Sequence, residues 1–147
     1  MAMKPGPDGP RSTTASIIFA LLDPIPYGFL VAACLFDVGY ASHPEVLWIK
    51  AAAWLIAVGL LFAIVPRLIN LVQVWFTGSR PRVGAEIASF WLNVGAIAAA
   101  TVNAFVHSRD AYAAMPEGLW LSGLTVALLV LGRLACARHQ WRIRASS

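Results

Sequence analysis

The chain is poor in charge. Only 12% of its 147 residues are Asp, Glu, Lys or Arg, about half of what soluble domains carry. With 59% hydrophobic residues and a mean hydropathy of +0.71, it could not hide its apolar surface in one small core. A water-soluble globule is therefore excluded, and lipid is the expected solvent. Cysteine is scarce as well. Cys34 and Cys136 fall in apolar runs at different expected depths, so no disulfide is expected between them. No CxxC or CxxCH occurs, which excludes a thioredoxin motif and a c-type haem attachment site. No metal-ligand cluster, phosphate-binding loop or nucleophile–base arrangement is legible, so no catalytic residue and no metal site are assigned. The chain is not expected to be an enzyme.

Long apolar runs are present instead. A membrane span needs about 20 apolar residues, because the hydrocarbon layer is about 30 Å thick and a helix rises about 1.5 Å per residue. Four runs qualify, which predicts an all-α polytopic membrane protein with four transmembrane helices over residues 17–137. Before them, "MAMKPGPDGPRSTTAS" reads as a disordered tail over 1–16. After them, "RHQWRIRASS" reads as a basic tail over 138–147. Lys4 and Arg11 precede an apolar stretch, as in a signal peptide. Asp23-Pro24-Ile25-Pro26 interrupts that stretch, however, and no cleaved signal is expected.

The first helix is predicted from Pro24 to about Ala41, with Asp23 as N-cap and Pro24 at the first helical position, where its missing N–H costs nothing. "SIIFALL" before it reads as an interfacial segment, the alternative being one longer helix kinked at Pro24 and Pro26. Ser42 and Glu45 form a capping-box pattern for a second helix over about 43–76. Twenty residues from Val46 reach Val65, which places Pro66 at the far membrane surface. Arg67, Asn70, Gln73 and Thr77 then recur at helical spacing opposite Leu68, Ile69, Trp75 and Phe76. That is the pattern of an amphipathic extension kinked at Pro66. The third helix is expected over about 84–107. Its Ala96, Ala100 and Ala104 form a small-residue ridge of the kind that lets membrane helices approach closely, so it should be the most buried. The fourth should run from about 116 to 137, with Ser122 and Thr125 bonding backbone or packing partners.

The net charge is +4. The basic residues lie mostly at span ends, where the positive-inside rule accounts for them, and no nucleic-acid partner is expected. Lys4, Arg11, Arg67, Arg80, Arg82, Arg133, Arg138, Arg142 and Arg144 fall on one side, Lys50 and Arg109 on the other. Both termini are thus predicted to be cytoplasmic.

Polar groups inside the spans are the candidate site residues. At 100° per residue, Asp23, Tyr27, Cys34 and Asp37 fall within about 80° on the first helix. Glu86, Asn93, Asn103 and His107 fall within about 100° on the third. Depth sorts the polar residues into a cytoplasmic layer of Asp23, Arg67, Glu86 and Arg133 and an outer layer of Asp37, Lys50, Asn103 and His107. These residues can serve as ion pairs that set helix register, or as a proton path from Asp37 through Asn103 and Asn93 to Glu86. His43 and His107 lie at similar depth and could face one another, which keeps haem b open as a cofactor; otherwise none is expected.

"DPIPYGFLVAACLFD", ending on Asp37, is followed by "LWIKAAAWLIAVGLLFAIVPRL", a polar turn and "AEIASFWLNVGAIAAATVNAFVHSRD". Over about residues 20 to 135 this resembles the bacterial membrane family called Domain of Unknown Function 2231 (DUF2231). The resemblance implies four spans and a bacterial membrane but no established reaction. The family often opens its first span with His-Pro where this chain has Asp23-Pro24, so no metal or haem role is implied there. Some relatives occur with redox modules, which implies a place for an electron-transfer anchor. The expectation is therefore a non-catalytic subunit or anchor in the bacterial inner membrane. Its partners would be the lipid bilayer and another membrane protein or a periplasmic redox protein. A redox subunit holding haem b or quinone, and a small-solute or proton carrier, are the alternatives.

The charge bias gives a direct test of topology. A reporter active only in the periplasm, fused after Ser147, should stay silent, and activity there would refute cytoplasmic termini.

Overall fold

The computed structural model describes residues 17–18, 21–71, 84–109 and 114–145. Among them there are four long helices and no strand: α1 (Pro24–Ser42), α2 (Val46–Leu71), α3 (Gly84–His107) and α4 (Glu117–Ala145). All four are long and apolar enough to cross a membrane, and a chain of this pattern is a multi-pass membrane protein. α1 packs on α2, α2 on α3, α3 on α4, and α4 back on α1. Side-chain pairs give the directions. Asp23, just before α1, meets Arg67 near the end of α2 and Arg133 in the second half of α4. Asp37, late in α1, meets His107 at the end of α3 and Ser122 early in α4. The helices therefore run up, down, up, down around a closed ring.

The core is made of small and branched side chains. Leu30 and Ala33 of α1, Ile56 of α2, Ala96 and Ala100 of α3 and Leu129 of α4 form its centre. α3 is the most buried helix, as the alanine ridge predicts: 44% of its apolar window is buried, against 28%, 29% and 22% for α1, α2 and α4. Close approach also holds α2 against α1. A Cβ on Gly59 would lie 3.1 Å from the Phe29 Cβ and 3.3 Å from the Leu30 Cγ, so only glycine fits without displacing α1. The outer surfaces are apolar, with Leu35, Leu47, Trp54, Leu61 and Phe105 exposed. Exposed large apolar side chains around a bundle that buries Asp23, Asp37, Asn93, Asn103 and His107 are the reverse of a soluble protein and suit a lipid solvent. On α4, exposed Trp120 and Trp141 stand about 32 Å apart at helical rise.

Several sequence expectations need correction. Asp23 does not cap α1. It has helical dihedrals and no capping hydrogen bond, because its carboxylate is drawn to arginines on two other helices. Ile17, Ile18, Leu21 and Leu22 are helical, so helix precedes the two prolines. Ser42 does not form a capping box for α2. Its hydroxyl donates back to the Val38 carbonyl within α1. Pro66 is fully buried among the helices, and α2 continues past it to Leu71. Its ring removes the N–H that would have bonded the Phe62 carbonyl, a loss that membrane helices tolerate when neighbours enclose the site. Gln73, Trp75, Phe76 and Thr77 of the expected amphipathic extension lie outside the described residues, as does the tail 1–16. The basic segment after residue 137 is no separate tail, since α4 continues through it to Ala145. With 29 residues, α4 is about 43 Å long, so it outreaches the hydrocarbon and carries exposed Arg138 and Arg142 beyond it.

Replacing Ala100 by Leu should cost about 1–3 kcal/mol by overpacking, whereas Leu61→Ala on the exposed face should cost much less. Equal melting temperatures in detergent for the two variants would rule out a tight interface along the α3 ridge.

Candidate functional site: two polar clusters in the bundle

The polar residues of the spans gather into two clusters at opposite ends of α1. The first begins at Asp23. Arg133 of α4 donates to one of its carboxylate oxygens, and Arg67 Nη2 of α2 lies 3.5 Å from the other. The same Arg67 nitrogen donates to the Tyr27 hydroxyl at 3.1 Å. That hydroxyl donates to Asn93 Oδ1 of α3 at 2.8 Å, and Asn93 Nδ2 donates to the Ser89 carbonyl at 2.7 Å. The Arg133 guanidinium also lies 4.3 Å over the Tyr27 ring, a cation–π contact. One acid, two bases, a phenol and an amide thus tie all four helices together. The side chains of Asp23 and Arg67 are 8% and 15% exposed and that of Arg133 is 53% exposed, so the cluster sits at the rim of the bundle with one side open.

This arrangement settles the role of Arg67. It turns inward to Asp23 and Tyr27, while its neighbour Leu68 faces out. Its guanidinium is thus paired within the bundle, as the ion-pair reading of the cytoplasmic layer expects. The side chain of Glu86, the other acid expected at this depth, lies outside the described residues.

The second cluster is sealed. Asp37 and His107 have side chains with no exposure. His107 Nε2 meets Asp37 Oδ1 at 2.8 Å, and His107 Nδ1 meets the Asn103 main-chain carbonyl at 3.0 Å. Ser122 of α4 donates to Asp37 Oδ2 and accepts from Asn103 Nδ2 at 2.7 Å. A glycine on α4 makes room for the ring: a Cβ on Gly118 would fall 2.7 Å from His107 Cε1. The acid is central, flanked by the imidazole on one side and the hydroxyl on the other. Ser122 bonds the carboxylate and not the imidazole, so this is no nucleophile–base–acid relay.

The structure brings together Asp37, Asn103 and His107 of the outer layer and Asp23, Arg67 and Arg133 of the cytoplasmic layer, as the depth sorting expects, and adds Asn93 to the second group through Tyr27. Lys50, expected beside Asp37, is exposed. His43 is exposed at the end of α1 and does not pair with His107, whose two ring nitrogens are both engaged. Ser122 bonds packing partners and Thr125 the Leu121 carbonyl, as expected; what sequence reasoning missed is that the partners of Ser122 are Asp37 and Asn103. It also missed Tyr27 as the link between Arg67 and Asn93. Its place on the same stripe as Asp23 was the available signal.

An apolar layer parts the clusters. Asn93 and Asn103 stand about 15 Å apart along α3 at helical rise, and Leu30, Ala33, Ile56, Ala96, Ala100 and Leu129 fill that interval. Among the described residues no group of three or more His, Cys, Asp or Glu is placed to hold a metal ion. Both cysteines are free. Comparison with protein-family models, with curated proteins and with solved structures finds no match to this chain.

A double-mutant cycle of Arg67→Gln with Asp23→Asn should give a coupling of about 0.5–2 kcal/mol in detergent, the range of contacting polar pairs in membranes. The Arg133→Gln cycle with Asp23→Asn should give less, because Arg133 is half open to its surroundings. Additive effects in the Arg67 cycle would mean that the pair carries no stability.

Proposed function

We propose that the chain is a non-catalytic subunit or anchor of a protein complex in the bacterial inner membrane, with both termini in the cytoplasm. One observation carries this reading. The intramembrane acids of α1 are consumed by partners within the bundle: Asp23 by Arg67 and Arg133, Asp37 by His107 and Ser122. A buried charge satisfied in this way fixes helix register and rotation, and it leaves little polar chemistry for a substrate. The grooves on the bundle are apolar in character, such as the one between α1 and α2 lined by Pro24, Ile25, Gly28, Phe29, Ala32 and Leu55. Such surfaces suit lipid or a neighbouring apolar helix. The partner would be another membrane protein or a periplasmic redox protein, and the lipid bilayer covers the rest.

The redox reading with haem b draws little support from the histidines. An axial ligand needs a free imidazole nitrogen, and His107 has spent both. The carrier reading draws little from the packing, because the apolar layer divides the two polar clusters.

Extraction from native membranes in mild detergent tests the proposal. The anchor reading expects the chain to migrate in an assembly of defined size, far above its own 15.8 kDa, and to be spectroscopically silent once isolated. A reduced-minus-oxidised haem b spectrum in the isolated chain, or solute flux by the chain alone in liposomes, would overturn it.

A further inference from the structure

The Asp37 cluster has more hydrogen-bonding freedom than a fixed strut requires. A main-chain carbonyl only accepts, so His107 Nδ1, 3.0 Å from that of Asn103, carries a hydrogen. Nε2 lies 2.8 Å from Asp37 Oδ1, and one proton must sit on that line. It rests on the ring with the acid ionised, or on the acid with the ring neutral. In both cases the pair as a whole is neutral. On the far side of the carboxyl group the bonds run in one direction, from Asn103 Nδ2 to Ser122 Oγ and from Ser122 Oγ to Asp37 Oδ2.

That direction leaves a flaw. Asn103 Oδ1 is buried and has no hydrogen-bond partner, in a side chain among the most buried of the bundle. An orphaned buried acceptor is unfavourable, and turning the amide over transfers that lack to its nitrogen, so the line through Ser122 can run in either direction with the same number of hydrogen bonds. If the Asn103 amide turns over, Oδ1 faces Ser122 and accepts its hydroxyl hydrogen. Ser122 Oγ then needs a hydrogen from Asp37 Oδ2. The reversed line therefore calls for one additional proton on the carboxyl group.

We propose that Asp37, His107, Ser122 and Asn103 form a proton-binding site that takes up one proton from one face of the membrane and stores it on Asp37 Oδ2, reversing the hydrogen bonds of Ser122 and Asn103. The incoming proton forms the Oδ2–H bond. The Ser122 hydroxyl swings from Asp37 to Asn103 and His107 holds a hydrogen on each ring nitrogen; where the shared proton had rested on Asp37 Oδ1, that O–H bond breaks as the proton crosses to Nε2. The cluster's charge rises by one.

The position of the cluster makes the site one-sided. His107 is the last residue of α3, Asp37 lies within about two turns of the end of α1 and Ser122 within about two turns of the start of α4. The other end is closed by the apolar layer of Leu30, Ile56, Ala96, Ala100 and Leu129. No competing charge faces the pair among the described residues. α1 adds Cys34 and Tyr40, one turn to either side of Asp37, and α2 presents buried Ile49, Ala52 and Ile56. α3 and α4 contribute Asn103, His107 and Ser122 themselves. His43, Glu45, Lys50, Arg109 and Glu117 are exposed at this end of the bundle. The inference does not depend on the anchor reading, since either can fail alone.

Infrared difference spectroscopy on the full chain in lipid nanodiscs tests it during stepwise acidification. A protonated-carboxyl stretch should appear while the helices remain intact. It should shift in Ser122→Ala, which removes the acceptor of the new hydrogen, and vanish in Asp37→Asn, with dye-measured uptake lower by one proton per chain. If Asp37→Asn does not fold, nitrogen-15 NMR on the His43→Gln, His139→Gln double variant supplies the second readout. It leaves His107 as the sole histidine, and both of its nitrogens should be protonated at the acid end. The proposal is overturned by any of three results: no such carboxyl band before unfolding, a band unmoved by Ser122→Ala, or a His107 nitrogen without its proton in acid. In sealed vesicles, acidification of only the face that bears the termini should leave the band absent; its appearance would overturn one-sided access.

Discussion

A carboxylate inside a membrane bundle must find its partner on another helix. Ions are expensive to bury in a medium of low polarizability, and the hydrocarbon offers nothing to offset the loss of water. α1 carries this problem at both ends, with Asp23 and Asp37 on one stripe of its surface. Each acid is answered from two other helices, Asp23 from α2 and α4, Asp37 from α3 and α4. Two fixed points on one helix set both its rotation and its depth. The remaining packing follows: Ala96 and Ala100 bring α3 inward, and Leu30, Ile56 and Leu129 fill the space between the fixed points.

The two clusters use different chemistry because they meet different surroundings. At the Asp23 end the partners are guanidiniums, permanently charged and long enough to reach from the rim, with Arg133 half exposed. In the Asp37 cluster every member is buried, and the partners are an imidazole, a hydroxyl and an amide, none of which has to carry a fixed charge. An arginine there would impose a permanent charge on a sealed site. Histidine allows the pair to be neutral as a whole, and Gly118 clears the volume its ring needs.

Much of this was legible in the chain, for physical reasons. Four spans follow from the lengths of the apolar runs, and the burial of α3 follows from its alanines. Depth along a helix is also readable, since rise per residue is constant, so the grouping of Asp37 with Asn103 and His107 could be expected. What sequence left open were choices between partners of similar chemistry. Asp23 before Pro24 reads as a capping residue, because local rules see only the backbone beside it; two arginines far along the chain compete for the carboxylate and win. Ser42 with Glu45 reads as a capping box, yet the hydroxyl turns back to Val38. Pro66 reads as a kink at the end of a span, and periodicity does not reveal that neighbouring helices enclose it. Ser122 looks like any small polar residue in a span until α1 is placed against it.

The ring of helices is closed by contacts between its first and last members, and this bears on how the bundle comes into being. Helices enter a membrane in the order of synthesis. α1 arrives with two acids and no partner for either. α2 brings Arg67 to Asp23, and α3 brings His107 to Asp37. Arg133 and Ser122 come only with α4. Until then the acids of α1 are half answered, and the partly built bundle keeps polar groups facing the lipid or the insertion machinery. The fourth helix is thus the one that seals the first, and the hydrogen bonding of the two acids is complete only when α4 has joined the other three.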